Sequence, residues 1–418
     1  MSAHLITSRF ATSILARYPA LGFPVYRRYW FASFASVGAT QLITLGQGWL
    51  IFELTGSALQ LGVLGAAAAL PNIAMTIFGG VVADRFDKRQ ILRTTSALIT
   101  LLLVLLAWLD YSGLVTVWQV ITIAALVSLI TGLDWPARVA IFPHLVERHA
   151  FMSAVALNSF IWQATRMAVP AMGGVLMYVA DTWLIFTLGA MGFFIMYLVI
   201  SGIHVALPEP TQHTPLQQLT QGVVYIWRNG LFKWLMGLSF AGMLLSQSYV
   251  QILPVFVGGM GLAEQAYGYL LSAGGVGSII GTLVVGGWSE DKPIGQYMFA
   301  AAAVSALALI GFVAATSAGA YGAALATVFV ASAFSSVYLI VSMTVLQMRV
   351  PDELRGRVMG IYSISFSLVP LGGLLLGALA ETEGPGAAVL YANALYLFIV
   401  VAVWVGRSEL RALTNRHG

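Results

Sequence analysis

Apolar residues run in stretches of about twenty along almost the whole chain, and short polar connectors separate one stretch from the next. A helix needs roughly 20 residues to cross a membrane, because about 30 Å of hydrocarbon is covered at 1.5 Å per residue. The pattern therefore predicts an all-α membrane protein with twelve transmembrane helices. The predicted helices are 29–52, 58–83, 90–109, 114–134, 153–179, 183–206, 232–257, 267–288, 294–316, 320–346, 357–380 and 387–406.

Composition supports a lipid environment for these helices. Hydrophobic residues make up 59% of the 418 residues and charged residues only 9%, whereas about a quarter of a soluble protein is charged. Twelve helices leave no room for a soluble domain. Cysteine is absent, which excludes disulfides and thiol chemistry. The N-terminus lacks the apolar core of a signal peptide and is interpreted as a cytoplasmic tail.

Charged residues alternate between the two ends of the predicted helices. Odd-numbered connectors, such as 53–57 and 110–113, carry acids but no lysine or arginine. Even-numbered connectors, the helix ends beside them and both tails carry 19 of the 20 lysines and arginines, and cytoplasmic loops of membrane proteins have such an excess. We therefore expect a multi-pass protein of the cell (inner) membrane with both termini in the cytoplasm. This placement of the net charge of +4 argues against nucleic acid as a partner.

Matching residues recur at a nearly constant offset in the two halves of the chain. Gly62 matches Gly268 at an offset of 206, and PAMGG at 170–174 resembles PLGG at 370–373. Parallel repeats of this kind place the substrate site at mid-membrane between the halves. The predicted organisation is a cytoplasmic tail (1–28), a six-helix bundle (29–206), a cytoplasmic linker (207–231), a second six-helix bundle (232–406) and a C-terminal cytoplasmic tail (407–418).

Two motifs lie where a known transporter family has its signatures. The connector after the second helix contains Gly80, Asp84, Arg85, Asp87, Lys88 and Arg89. It resembles the signature loop of the major facilitator superfamily, written G-x-L-a-D-r-x-G-r-[RK], with Asp87 in place of a glycine. In the fifth helix, Pro170, Gly173 and Gly174 resemble the Gly-Pro-x-x-Gly-Gly motif of antiporters, with Val169 in place of the first glycine. Further stretches between residues 25 and 406 resemble the branch that contains enterobactin exporters and macrolide efflux proteins.

The resemblance implies two pseudo-symmetric six-helix bundles and a gate between them. Asp84 would reach the positive N-terminal end of the eleventh helix near Arg355, where an acid is stabilised by the helix dipole. Arg85 would join Asp84 to Asp134 at the end of the fourth helix. These contacts would hold the bundles together on the inside while the cavity is open to the outside. Lys88 and Arg89 either take part in this gate or only obey the charge rule of cytoplasmic loops.

Arg166 is the only lysine or arginine inside a predicted helix and away from its ends. A cation at mid-membrane costs at least roughly 2.5 kcal/mol, so it should face protein or water. Asn158 and Trp162 share its stripe at spacings of four residues, with Gln163 alongside, and Trp162 could make a cation–π contact. The stripe lines a substrate cavity, or Arg166 is a structural residue near the Pro170 kink; the sequence leaves both interpretations open.

Other polar side chains in the predicted helices are candidate substrate contacts. They are Gln41 and Gln47 in the first helix, Gln247 and Gln251 in the seventh, Ser335 in the tenth and Tyr362 in the eleventh. Polar residues in membrane helices also hydrogen-bond neighbouring helices, so each has a structural alternative.

Carboxylates that could couple transport to protons are scarce. No aspartate or glutamate lies deep inside a predicted helix. Proton coupling needs a carboxylate whose pKa changes as the cavity opens to one side of the membrane or the other. The nearest candidates are Glu53 at the outer end and Asp134 at the inner end. Proton coupling is therefore implied by the resemblance alone.

The sequence contains neither an intramembrane cluster of metal-binding or nucleophilic residues nor a phosphate-binding Gly-Lys-Ser/Thr loop. We therefore expect no catalytic site, metal or cofactor. The predicted function is a monomeric secondary transporter that exports a small amphipathic organic compound (a drug, macrolide or siderophore), with protons as the candidate driving ion. The alternatives are an importer or facilitator of a small solute and a non-transporting membrane sensor with the same fold.

Overall fold

The computed structural model of the chain describes residues 18–203, 215–286, 288 and 293–413. For residues 76–85, 140, 143 and 215–220 it describes the backbone alone. Every regular element in the described part is a helix, and no strand occurs there. The predicted all-α class is therefore confirmed.

Five helices form the first half of the described chain. They are α1 (Pro24–Thr55), α2 (Ala58–Arg85), α3 (Lys88–Tyr111), α4 (Val117–Ile141) and α5 (Phe151–Gly202). Helix α5 is interrupted, because Ala180 (φ −147°, ψ 19°) and Asp181 (φ 62°, ψ 179°) leave the helical conformation. The interruption lies in the predicted connector between the fifth and sixth helices, so α5 has two arms.

The second half begins with α6, which lies in the predicted linker. Its helices are α6 (Pro215–Arg228), α7 (Gly230–Ala241), α8 (Leu253–Gly259), α9 (Glu264–Gly286), α10 (Ile294–Ser317), α11 (Tyr321–Arg349), α12 (Asp352–Ile364), α13 (Leu368–Glu383), α14 (Pro385–Gly406) and α15 (Ser408–Arg411). A π-helical turn, Gly242–Ser246, and a 3-10 segment, Gln247–Ile252, join α7 to α8. Such irregular turns inside a helix often mark functional sites.

Acidic residues gather at one end of the helices. Glu53 lies close enough to Asp110, Asp181 and Glu264 for their charges to interact. We call this the acidic end, and the opposite end, which contains the connector between α2 and α3, the basic end. Each of the six connectors at the acidic end has one residue with positive φ. These residues are Gly56, Gly113, Asp181, Gly261, Gly319 and Gly384.

The helices pack into two bundles. In the first bundle α5 packs against α1 and α3, and α4 packs against α2 and α3. In the second, α11 packs against α9 and α10, and α14 against α10 and α13. The side chains of α1 also hydrogen-bond the backbone of α5, since the Tyr26 hydroxyl donates to the Ala154 carbonyl at 3.0 Å and the Trp30 indole to that of Leu157 at 3.0 Å.

Ten helical segments in the described part are long and apolar enough to cross a membrane. This agrees with a multi-pass membrane protein. Both arms of α5 fall in one of the ten segments, and α1 is not among them. The predicted count of twelve therefore stays a prediction.

Candidate translocation site

Glycines bring the two bundles into backbone contact along two pairs of helices. On the α5–α9 pair, a Cβ at Gly268 would lie 2.3 Å from the carbonyl oxygen of Pro170. On the α2–α13 pair, a Cβ at Gly377 would lie 2.4 Å from the carbonyl oxygen of Ala58. No side chain fits at either distance, so glycine permits this approach, as small residues do between membrane helices.

The two contacts involve residues that match in the sequence repeat. Gly62 on α2 lies against Gly373 on α13, and its match Gly268 on α9 lies against Gly174 on α5. The PAMGG segment thus faces Gly268 and the PLGG segment faces Gly62, and these two partners match each other in the sequence repeat. Gly173 instead faces α1 of its own bundle, where a Cβ would lie 2.5 Å from the Leu45 side chain.

Hydrogen bonds and an aromatic pair join the bundles at the acidic end. The Ser57 hydroxyl donates to the Glu381 carboxylate at 2.5 Å, and the Leu59 N–H donates to the same oxygen at 3.3 Å. The rings of Trp49 and Tyr267 stack with centroids 6.1 Å apart. The acidic end is therefore closed by contacts between bundles.

Two faces of α9 pack on different bundles. Gly275 still lies against the backbone of Arg166 on α5. The next glycines along α9, Gly277 and Gly281, face the backbone of Phe329 and Ala333 on α11. The glycines on the face toward α5 thus bring the two backbones together from Gly268 to the level of Arg166.

A cavity of about 450 Å³ lies between the bundles beneath this closure. Its polar lining residues are Gln41, Thr44, Gln47, Arg166, Gln247, Tyr249, Gln251, Tyr267 and Ser332, and apolar side chains such as Leu61, Leu64 and Phe366 complete the wall. Five residues predicted as substrate contacts are brought together here: the four glutamines and Arg166. Both bundles contribute, which is the arrangement that alternating access requires.

Arg166 presents its side chain to this cavity. The side chain is enclosed by neighbouring helices but is exposed to the cavity, which it shares with the Tyr249 hydroxyl of the opposite bundle. Ser332 lies close to the Tyr249 hydroxyl and lines the same cavity. Among the described residues, no carboxylate forms an ion pair with Arg166. The guanidinium is thus a cation in a mostly apolar cavity without a neutralising acid from the described chain.

Gln47 is the second polar group that is open to a ligand. It is buried, and its side-chain nitrogen has no hydrogen-bond partner among the described residues. An unpaired buried donor costs about 1–3 kcal/mol. A ligand oxygen in the cavity would satisfy it.

The other predicted contacts lie outside the cavity lining. Trp162 packs against Trp135 of α4 at 5.5 Å, and Asn158 and Gln163 are half-buried on the same arm of α5. Ser335 accepts a hydrogen bond from Gln247, and Tyr362 is buried within the second bundle.

Tyr249 and Tyr267 line the cavity, although sequence reasoning did not propose them. Tyr249 lies between Gln247 and Gln251 in the sequence, so a tyrosine inside a glutamine-containing segment was the available signal.

Comparison with known proteins identifies the family. A family model described as transmembrane secretion effector matches residues 16–416. The chain belongs to this family of the major facilitator superfamily. The staphyloferrin A transporter of Staphylococcus aureus is 25% identical to it over 356 residues, which cover 81% of this chain and 85% of that relative. The enterobactin exporter of Shigella boydii is 26% identical over 396 residues and 93% of both chains.

Solved structures share the fold of this transporter. A nucleoside transporter superposes with a TM-score of 0.74 at 12% identity, over 92% of this chain and all of that one. A bacterial homologue of the iron transporter ferroportin superposes with a TM-score of 0.71 at 16% identity, over 92% of this chain and 99% of that one. The predicted major facilitator fold is confirmed.

The gate that the signature loop implies is described only in part. Gly80, Asp84 and Arg85 lie outside the residues whose side chains the structure describes. The predicted eleventh helix begins as α12 in the structure, and there the exposed Arg355 forms an ion pair with Asp352 of the same helix at 2.5 Å. The contact between Asp84 and this helix end stays a prediction.

The rest of the signature loop of the transporter has local roles. Asp87 is the N-cap of α3, which starts at Lys88, and its carboxylate accepts the Arg89 N–H at 2.9 Å. Aspartate and glycine both suit an N-cap, so the departure from the family pattern preserves the helix start. The Arg89 side chain donates to the carbonyls of Ile200 and Ser201 at 3.1 and 2.5 Å, where a cation stabilises the end of α5.

Neither coupling candidate lies in the cavity lining. Asp134 is buried in the first bundle, where it forms an ion pair with Arg138 and accepts a hydrogen bond from Thr95 at 2.8 Å. Arg138 also donates to Ser36 at 2.9 Å, so the pair is held by hydrogen bonds that reach α1 and α3. Glu53 is exposed among the other acids of the acidic end.

Proposed function

We propose that the transporter exports a small amphipathic organic anion by alternating access, and that Arg166 binds its anionic group. The observation that carries this proposal is the guanidinium in the cavity between the bundles, without an ion-pair partner among the described residues. An anion there would gain a charge-assisted hydrogen bond, and the apolar wall would bury the rest of the molecule. A siderophore is the first candidate, because the relatives are named for moving siderophores.

Export requires that the cavity open to the cytoplasm in one state. We assign the acidic end to the outside and the basic end to the cytoplasm, because basic connectors stay in the cytoplasm. The state described would then be closed to the outside by the Ser57–Glu381 hydrogen bond and the stack of Trp49 on Tyr267. A rocking motion of the bundles, 29–206 against 232–406, would separate the glycine contacts at that end and bring the basic ends together.

The gate and the driving ion belong to the same proposal. Asp84, joined by Arg85 to Asp134, would reach the helix end near Arg355 and hold the basic ends together in the outward-open state. Pro170, Gly173 and Gly174 would shape the arm of α5 that approaches α9. Protons are the proposed driving ion, with Glu53 and Asp134 as the candidate carriers.

Replacement of Arg166 tests the substrate role. Arg166→Gln should lower transport per inserted molecule by about tenfold or more, since a hydrogen bond to a charged group is worth about 1.5–3 kcal/mol. Arg166→Lys keeps the charge but loses the planar fork, so it should retain partial transport. The assay compares the efflux of iron-free siderophores and of neutral drugs from cells that express or lack each variant. Accumulation inside expressing cells would instead favour an importer.

Gln163→Ala is the matched control, because Gln163 lies one turn away on the same helix and outside the cavity lining. It should transport like the parent. Heat stability separates the two roles of Arg166. If both Arg166 variants lose stability together while transport per folded molecule is unchanged, the arginine is structural and the substrate role is wrong.

A further inference from the structure

A second cavity lies on the outer surface of the second bundle, away from the translocation site. It is a groove of about 770 Å³ between α10 and α14 at the basic end. Its apolar floor is formed by Phe299, Ala300, Ala303, Val400 and Val401, and its polar rim by Gln296, Trp404, Ser408 and Arg411. The floor runs along two membrane-crossing helices, so it lies at the depth of lipid chains.

The basic rim of the groove is held in place by the segment after α14. Leu410 and Leu413 are buried, with 1% and 3% of their surface exposed. The Gly295 N–H donates to the Leu413 carbonyl at 3.0 Å, and a Cβ at Gly295 would lie 2.1 Å from the Leu410 carbonyl oxygen. The segment therefore packs tightly on the start of α10, which fixes the position of Arg411 at the mouth of the groove.

The charge at this mouth is available to a ligand. The Arg411 guanidinium lies over the Trp404 ring at 5.2 Å, and it forms no ion pair with a carboxylate of the described chain. Tryptophan beside arginine is typical of the level of lipid headgroups. The neighbouring Arg407 lies over Trp234 at 4.5 Å and does not line the groove.

We propose that this groove binds one anionic phospholipid, with an acyl chain along the floor and the phosphate on Arg411. Charge complementarity selects the occupant: an arginine fork pairs with phosphate oxygens, and basic pockets between transmembrane helices bind anionic headgroups. The lipid would link α10, α14 and the C-terminal segment, and so stabilise the second bundle from its membrane face.

Native mass spectrometry of the purified full chain tests the site with two probes of identical acyl chains, phosphatidylglycerol and phosphatidylcholine. The parent should retain the anionic lipid about fivefold better, the effect of roughly one basic side chain on lipid affinity. Arg411→Gln should abolish this preference. Arg407→Gln removes the same charge from the same segment outside the groove and should keep it.

A second variant tests the apolar floor without touching the charge. Ala303→Leu fills the groove and should weaken the retention of both lipids, while the protein stays as heat-stable in detergent as the parent. Equal retention of the two lipids by the parent would overturn the proposal, and so would an equal loss of preference in both arginine variants. A dimer that Ala303→Leu disrupts while lipid retention persists would assign the groove to a second copy of the chain and also overturn it.

Discussion

At the residue scale, Asp181 differs from its counterparts at the acidic end. Five of the six connectors there turn at a glycine, and the sixth turns at Asp181 with φ 62° and ψ 179°. Only glycine adopts this region of backbone space without strain, and other residues cost about 1–3 kcal/mol there. Asp181 also lies near Asp110 and Glu53, whose charges repel it.

Asp181→Gly should therefore raise the apparent melting temperature of the detergent-solubilised protein. It relieves the backbone strain and removes a repulsive charge, so the gain should be about 1 kcal/mol or more. Asp181→Asn separates the two causes, because it removes the charge and keeps the strain. If the two variants are equally stabilised, repulsion rather than backbone strain is the cause.

Helix geometry explains why only Arg166 of the predicted stripe lines the cavity. A spacing of four residues advances about 400° around a helix, so each step drifts by about 40°. Trp162 is one step and Asn158 two steps from Arg166, which turns them away from the cavity toward their own bundle. The indole then finds an apolar partner in Trp135. The sequence identified Arg166 as a cation inside a helix. It could not show which face of α5 is turned toward the second bundle.

At the element scale, the helix ends followed the sequence where a local signal marks them. The break at Ala180 and Asp181 falls in the predicted connector, and α14 covers the predicted twelfth helix within two residues at its start. Of the irregular turns between α7 and α8, the 3-10 segment precedes Pro254, while the π-helical turn carries no such signal. These turns pack against α13 and α14, and the local sequence does not reveal that packing.

Glycine contacts between elements predict how the acidic end opens. In Gly377→Ala the new methyl would meet backbone atoms of Ala58 and Leu59 at 2.4–3.1 Å. Because backbone cannot yield without moving a helix, the closed interface between α2 and α13 should weaken and the cavity should open more often at this end. A cysteine placed at the cavity residue Thr44 should then react faster with an impermeant maleimide in intact cells.

Gly237→Ala is the control for this experiment, because nothing lies within 4 Å of a Cβ at Gly237. It should leave the labelling rate of Thr44→Cys unchanged. An unchanged rate in Gly377→Ala, with normal expression, would mean that the interface adapts and that these glycines do not control opening.

At the scale of the whole molecule, the sequence repeat explains why one cavity lies between two bundles. Duplication makes the α2–α13 and α5–α9 contacts equivalent, and the matching glycines Gly62 and Gly268 both lie on them. The cavity lies between these two interfaces and draws polar side chains from both bundles. The site could be predicted at this level because symmetry fixes its place, while its shape depends on packing across the interface.

The proposed orientation of the whole molecule rests on charge and is directly testable, since the native chain contains no cysteine. Ser112 lies at the acidic end and Glu147 in the connector after α4 at the basic end, and both side chains are exposed. A single Ser112→Cys should react with an impermeant maleimide in intact cells, whereas Glu147→Cys should react only after permeabilisation. Equal reaction of both after permeabilisation would exclude burial as the reason for any difference. If Glu147→Cys alone reacts in intact cells, the acidic end faces the cytoplasm and the proposed direction of export is reversed.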